Sequence, residues 1–169
     1  QDLRAAVLQT PLGKDKLAIV RFDGSEGVNE LFEWRLEAVS AEGDIDFDGL
    51  IGKHATLTIN GVNGRKRKFD GIVTEARWLG VRDHFHAYRL VLRPWLWVLS
   101  QRTDNYIFHE MSVTDIIADV FSDYGALAEF DDRTSAAYPP IEYCVQYRES
   151  DMAFVTRLME EFGISYSFV

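Results

Sequence analysis

Over residues 17–93 apolar and polar side chains alternate with a period of two, in short runs punctuated by glycine and asparagine, and no helix-length 3.6 period intervenes. Strands that follow one another without a crossover helix pair antiparallel, so this stretch predicts a small barrel or sandwich. Residues 17–22 are apolar on both faces, which predicts a strand covered twice, and residues 23–27 read as a turn-rich link. Phe32, Trp34, Leu36 and Ala38 then alternate with Glu33, Arg35 and Glu37, the pattern of a strand with one wet face. After a helical turn expected at residues 47–51, Ala55, Leu57 and Ile59 mark the next strand. Asn60-Gly61-Val62-Asn63-Gly64 is a hairpin signal, because Asn and Gly accept positive φ. A long strand follows over residues 66–78, with a bend expected at Gly71. A turn at residues 80–83 returns the chain through a strand that sets His86, Tyr88, Leu90 and Leu92 on one side. Pro94 cannot donate to a ladder and ends the run. Residues 1–15, broken by Pro11 and Gly13, read as an arm or loop.

The period changes after residue 100. Ser112 caps an amphipathic helix whose buried face is Ile116, Ile117, Val120 and Phe121, with Asp115 in its first turn and Gly125 as its stop. Residues 126–141, with Pro139-Pro140, form an exposed connection. Residues 143–147 are aromatic and β-branched, a strand. Ser150 caps a second helix, and Asp151 meets the partial positive charge of its start. Met152, Val155, Leu158, Met159 and Phe162 make its apolar stripe, and Gly163 supplies the left-handed residue that ends it. Ile164, Tyr166 and Phe168 share one side of a last strand. The fold class is therefore α+β and mainly β: an antiparallel β-barrel domain over residues 1–100, then an α+β portion over residues 101–169 with two amphipathic helices and short strands. The last strand lacks a partner, and the chain reads as a fragment.

With 169 residues, 47% hydrophobic, the chain is long enough for one good core or two small ones. A net charge of −9 argues against sequence-independent nucleic-acid binding and against adhesion to an anionic membrane, both of which rely on basic surface. One cysteine excludes an internal disulfide, and no apolar run is fit for a signal peptide or a membrane span. Cys144, in an apolar strand, reads as an inert buried thiol rather than a nucleophile. His84 and His86 lack a third ligand at a convincing spacing, so no metal and no cofactor is expected. Glu149/Asp151 and Glu160/Glu161 read as a helix start and a solvated face rather than a catalytic dyad. The basic run Arg65-Lys66-Arg67-Lys68 has no interleaved aromatics to stack on bases. Of Trp34, Trp78, Trp95 and Trp97, most belong in a core, but Trp95 and Trp97 beside the proline are candidate interface anchors, and Phe168 on the open final strand is a third.

The string Tyr143-Cys144-Val145-Gln146-Tyr147-Arg148-Glu149-Ser150-Asp151, followed by Phe154-Val155, Arg157-Leu158-Met159-Glu160-Glu161 and Gly163-Ile164, resembles the signature of the VgrG family, the spike proteins of type VI secretion. Arg93-Pro94-Trp95-Leu96-Trp97 after Tyr88-Arg89-Leu90-Val91-Leu92, together with Gly71-Ile72-Val73 and Leu31-Phe32, extends the likeness over almost the whole chain. Tyr106, His109, Phe162, Ser165 and Ser167 depart from the family pattern. The resemblance implies a non-catalytic N-terminal hub region similar to the baseplate hub of contractile phage tails. It implies a homotrimer seated on the hexameric Hcp tube, with baseplate components and effectors as further partners and a puncturing needle downstream. Membranes would be met only by mechanical puncture. Assembly would take place in the bacterial cytoplasm, and export would use the type VI system without a signal peptide. A phage or prophage tail hub would share the fold. An alternative of another class, a cell-wall hydrolase module, requires two carboxylates converging in a cleft.

Overall fold

Six strands form one curled sheet: β1 (Ala6–Gln9), β2 (Ala18–Gly27), β3 (Glu30–Ser40), β4 (His54–Asn60), β5 (Lys66–Arg82) and β6 (Phe85–Arg93), in the spatial order β1-β4-β5-β6-β3-β2. The computed structural model describes residues 5–13, 15–61 and 64–168. The chain divides into two compact units, one of Gln1–Gly27 with Leu31–Pro94, the other of Val28–Glu30 with Trp95–Val169.

In the first unit the alternation of β3 does what its pattern demands. Trp34, Leu36 and Ala38 pair with Leu92, Leu90 and Tyr88 across the β3–β6 ladder, and all six are buried. Phe22, Trp34 and Phe69 close the core with ring centroids 4.7–5.6 Å apart. The sheet curls far enough that Ala6, Val7 and Leu8 of β1 and Ala18 and Ile19 of β2, with Leu17 before it, line one cavity of about 120 Å³. No ladder joins β1 to β2 among the described residues, so the expected closed barrel is an open, half-barrel sheet with these two strands as its edges.

Several local expectations are corrected. Residues 1–15 are not simply an arm, since β1 pairs antiparallel with β4 from Ala6↔Ile59 to Gln9↔Thr56; four residues are too few to display an alternation. Residues 17–22 are not covered twice, for β2 lies at an edge with Val20 exposed. It also runs through the supposed link to Gly27, and the chain turns at Val28 and Asn29. Gly71 makes no bulge: it pairs in register with Ala55, and the irregularities fall between Val73 and Glu75 and between Trp78 and Gly80. Its missing side chain serves a close approach, because a Cβ there would lie 3.0–3.1 Å from Arg93 O, Leu92 Cβ and Phe32 Cε2. β5 continues to Arg82, and the turn is Asp83-His84, both at positive φ as a two-residue type I′ hairpin requires. The β4–β5 ladder reaches Asn60↔Lys66; the hairpin residues Val62 and Asn63 lie outside the described residues.

The second unit begins with a 3-10 turn at Trp95–Gln101, which follows Pro94. A strand the sequence pattern does not announce, β7 (Thr103–Met111), pairs antiparallel with β8 (Ile141–Ser150) as a two-stranded ribbon. α1 (Val113–Ser122) is capped by Ser112, whose Oγ accepts from Asp115 N. It ends three residues before Gly125, which at φ 55° instead opens a short 3-10 turn. α2 (Asp151–Phe162) starts at Ser150, whose Oγ accepts from Ala153 N, and ends at Gly163 with φ 68°, where Ile164 N donates to Met159 O. Phe154, outside the expected stripe, is fully buried and stacks on Phe108 at 5.6 Å, while Met152 and Phe162 are half-buried. Residues 164–168 are not a strand: Ile164, Tyr166 and Phe168 are half-buried and their neighbours exposed, but the backbone of Tyr166 bonds Asn29, N–H to Oδ1 and Asn29 N–H to C=O, both at 2.9 Å.

Candidate interaction surface

The ribbon has an inner face covered at Phe108, Cys144 and Gln146 and a bare outer face. In β8, Cys144 and Gln146 point inward and are buried, while Tyr143, Val145 and Tyr147 are 56%, 37% and 64% exposed. The register Asn105↔Tyr147, Ile107↔Val145 and His109↔Tyr143 places Ile107, 47% exposed, on the same outer face. Arg148, at φ 52°, is the extra residue of a bulge between Glu149 and Tyr147, and its guanidinium lies over the Tyr147 ring at 5.2 Å. His109 meets Tyr143 edge to face at 4.8 Å. Two strands with an aromatic outer face, and no third strand in their sheet among the described residues, are a small platform rather than a closed core.

What keeps the platform rigid lies under it. Asp151 is 2% exposed yet well partnered: Tyr124 Oη donates to Oδ2 at 2.5 Å, Gln146 Nε2 donates to Oδ1 at 2.7 Å, and Arg102 Nε lies 3.8 Å from Oδ2. Its backbone N–H donates to Arg102 O. Arg102 in turn donates to Asp104 and Asp123, each at 2.6 Å. Burial, then the bond to Asp151, pushes the Tyr124 hydroxyl pKa upward, and the bonds to Asp123 and Asp104 raise that of Arg102. The sequence places Asp151 in the first turn of α2, at the positive end of the helix dipole. It also ties α2 to β8 and to the segment after α1. In the first unit Arg93 plays a similar part, with Nε and Nη2 donating to Glu33 Oε2 at 2.9 and 2.6 Å and Nη1 to Thr74 and Glu75. That hydrogen bonding holds the Glu33 carboxyl below its ordinary 4.5, and burial only partly opposes it.

The residues singled out in advance are placed as follows. Trp95 is half-buried, donates from Nε1 to Glu129 O at 2.8 Å and meets Phe121 edge to face at 4.9 Å. Trp97 and Phe168 are also half-buried, and the Phe168 ring is 5.8 Å from that of Tyr166. The tryptophan with most of its surface in solvent is Trp78, 52% exposed near the β5–β6 turn. Cys144 is buried, and burial pushes its thiol pKa upward. Among the described residues no group of three His, Cys, Asp or Glu side chains is placed to hold a metal, and the cavity between β1 and β2 presents a single carboxylate, Asp15. No helix is long and apolar enough among the described residues to cross a membrane. The sequence pattern does not announce β7, so the ribbon face shows in the sequence only as the alternation of Tyr143, Val145 and Tyr147 against Cys144 and Gln146.

Comparison with known proteins bears on both units. The profile of the phage tail baseplate hub (GPD) family matches residues 25–169. The type VI secretion system spike protein VgrG1b of Pseudomonas aeruginosa is 41% identical over 168 residues, which are 99% of this chain and 22% of that protein. The chain thus spans under a quarter of that relative. Among solved structures, the Escherichia coli c3393 protein, described as a type VI secretion component with structural similarity to the phage T4 tail proteins gp27 and gp5, superposes with a TM-score of 0.82. It is 20% identical, and the match covers 96% of this chain and 45% of that one. The Francisella PdpA–VgrG complex superposes with a TM-score of 0.61 at 12% identity, over 92% of this chain and 28% of that one.

Proposed function

Because this chain belongs to the phage tail baseplate hub (GPD) family, we propose that it is the hub portion of a VgrG-type spike, a structural part of the type VI secretion apparatus. The observation that carries this reading is the 41% identity to VgrG1b across 99% of the chain, in a fold shared with the c3393 protein. In this reading the protein forms a homotrimer, seats on the hexameric Hcp tube and connects it to a needle further along a longer protein. It assembles in the bacterial cytoplasm and leaves through the machine it belongs to. Its task is mechanical: rigid sheets and part-buried ion pairs transmit a thrust, and no covalent bond is made or broken. Residues 1–100 serve as the hub sheet and residues 101–169 as a docking portion, with Trp95, Trp97 and Phe168 at or beside contacts with neighbouring subunits. Effectors or baseplate proteins are further partners, in keeping with the PdpA–VgrG complex.

The family description itself supports a second reading, a tail hub of a phage or prophage. One genetic experiment separates the two. In a strain whose only spike gene is the one encoding this protein, deletion should stop export of Hcp into the medium, and complementation should restore it. Unchanged Hcp export, or loss of phage particles instead, overturns the secretion reading.

A further inference from the structure

Among the described residues the β3–β6 ladder runs from Ser40↔His86 to Trp34↔Leu92. One step further in the same register, Glu33 and Arg93 stand opposite each other, and side chains join them: Nε and Nη2 of Arg93 both donate to Glu33 Oε2, at 2.9 and 2.6 Å. On its other flank β6 meets an irregularity, because Thr74 is the extra residue between the pairs Val73↔Leu92 and Glu75↔Val91. There Nη1 of the same guanidinium donates to Thr74 Oγ1 at 2.8 Å and to Glu75 Oε1 at 2.9 Å. One planar fork thus bridges a ladder end on one side and a bulge on the other, the two places beside it where backbone pairing is interrupted. The Arg93 side chain is 16% exposed, against 47% for Arg89 in its mid-ladder pair with Glu37, so water screens the Arg93 bonds less.

The chain comes and goes at this same end of the sheet. It leaves the first unit after Gly27, re-enters it at Leu31 and leaves again after Pro94. At or beside those points β2 ends, β3 begins and β6 ends, and the three strands are neighbours in the order β6-β3-β2. Force carried along the chain into the first unit therefore arrives at one end of adjacent strands. An antiparallel pair loaded from one end parts rung by rung, so the rung nearest the load bears it first. For β3 and β6 that rung is Glu33 with Arg93.

We infer that Arg93 is a clasp: it keeps this end of β3, β5 and β6 from fraying, and it is the first link to bear a force that enters along the chain. The load-bearing role rests on the mechanical reading proposed above, whereas the clasp itself does not. Arg93 is a positioning residue, holding strands together rather than touching a partner.

Amide hydrogen exchange of the whole chain, read residue by residue, separates a clasp from ordinary stabilisation. Arg93→Lys keeps the charge and loses the fork. In that variant the ladder amides of residues 34–36 and 90–92 should exchange at least ~10-fold faster than in the parent, the cost of losing bonds to charged groups, while those of residues 38–40 and 86–88 keep their parent rates. Arg89→Lys, the same change opposite Glu37 in mid-ladder, should show no such gradient. Glu33→Gln keeps the shape and weakens the same bonds, so it should reproduce the gradient even where Arg93→Lys yields no folded chain. Rates that rise equally at both ends of the ladder, or that do not rise, overturn the clasp. The load-bearing role is tested in the longer protein, in the deletion strain described above: at equal levels of folded protein, Arg93→Lys should fail to restore Hcp export where Arg89→Lys restores it. Equal export by the two variants overturns that role. An unsubstituted protein that restores no export sinks the hub reading and the load-bearing role together, and leaves the clasp to be decided by the exchange rates.

Discussion

Replacing Asp151 by alanine should loosen the second unit far more than its single carboxylate suggests. The side chain is 2% exposed and accepts from both Tyr124 Oη and Gln146 Nε2. Hydrogen bonds to a charged group contribute about 1.5–3 kcal/mol each, and a buried donor left without an acceptor adds its desolvation cost. Gln146, itself buried, has Glu149 O at 3.2 Å as a remaining acceptor, and Tyr124 is only half-buried and can turn toward water. Those two facts hold the expected loss to about 3 kcal/mol. For a chain of this size that corresponds to a drop of roughly 10 °C in melting temperature. Because the two units need not unfold together, amide hydrogen exchange along α2 is the assay that reads the right equilibrium. Tyr124→Phe removes one donor and its bond together and should cost about 1 kcal/mol. A cycle of Asp151→Ala with Gln146→Ala should show a coupling of about 1–3 kcal/mol. If Asp151→Ala costs under about 1 kcal/mol, or the cycle is additive, the carboxylate is not the link described here.

Gly71→Ala should destabilise the first unit by about 1–3 kcal/mol in urea unfolding, because its Cβ meets Arg93 O, Leu92 and Phe32 at 3.0–3.1 Å; a neutral substitution would mean the strands separate freely. The Glu33 carboxyl is held below 4.5 by Arg93, so its stabilising contribution is complete above that value and vanishes as pH falls through its folded pKa. The urea midpoint of Glu33→Gln should accordingly fall less steeply on acidification than that of the parent, and parallel curves would refute the pairing. Trp95→Ala should lower the stability of the second unit by about 2 kcal/mol through its lost contacts with Phe121 and Glu129, so its effect on assembly is informative only beside a melting curve. Native Cys144 should react with a thiol reagent only as fast as the second unit opens, and immediate stoichiometric labelling would contradict its burial.

The parts legible in the sequence were those written in local chemistry. Alternation of Trp34, Leu36 and Ala38 with charged residues marks one face of β3, and Ser150 and Gly163 bracket α2 because a hydroxyl and a left-handed residue are what its ends require. What stayed hidden depends on partners distant in the chain. β1 is four residues long and becomes a strand only because β4 is beside it. β2 looks doubly buried because its residues are apolar, yet burial is decided by sheet order, which places it at an edge. Gly71 reads as a bend from its own flexibility, while its real constraint comes from Phe32 and Arg93. Of the surface, the alternation in β8 was visible, but β7, whose Asp104, Asn105 and Glu110 disguise its pattern, was needed to make it a face. The family likeness was legible because it is carried by a long string, residues 143–151, rather than by one short motif.

The central claim is that this chain is a ring-forming structural hub. Native mass spectrometry of the full-length protein, alone and with purified Hcp, tests it most directly. The account predicts three copies alone and the same three bound to one hexameric ring. A full-length protein that remains a monomer or a dimer, and passes Hcp without binding, contradicts it.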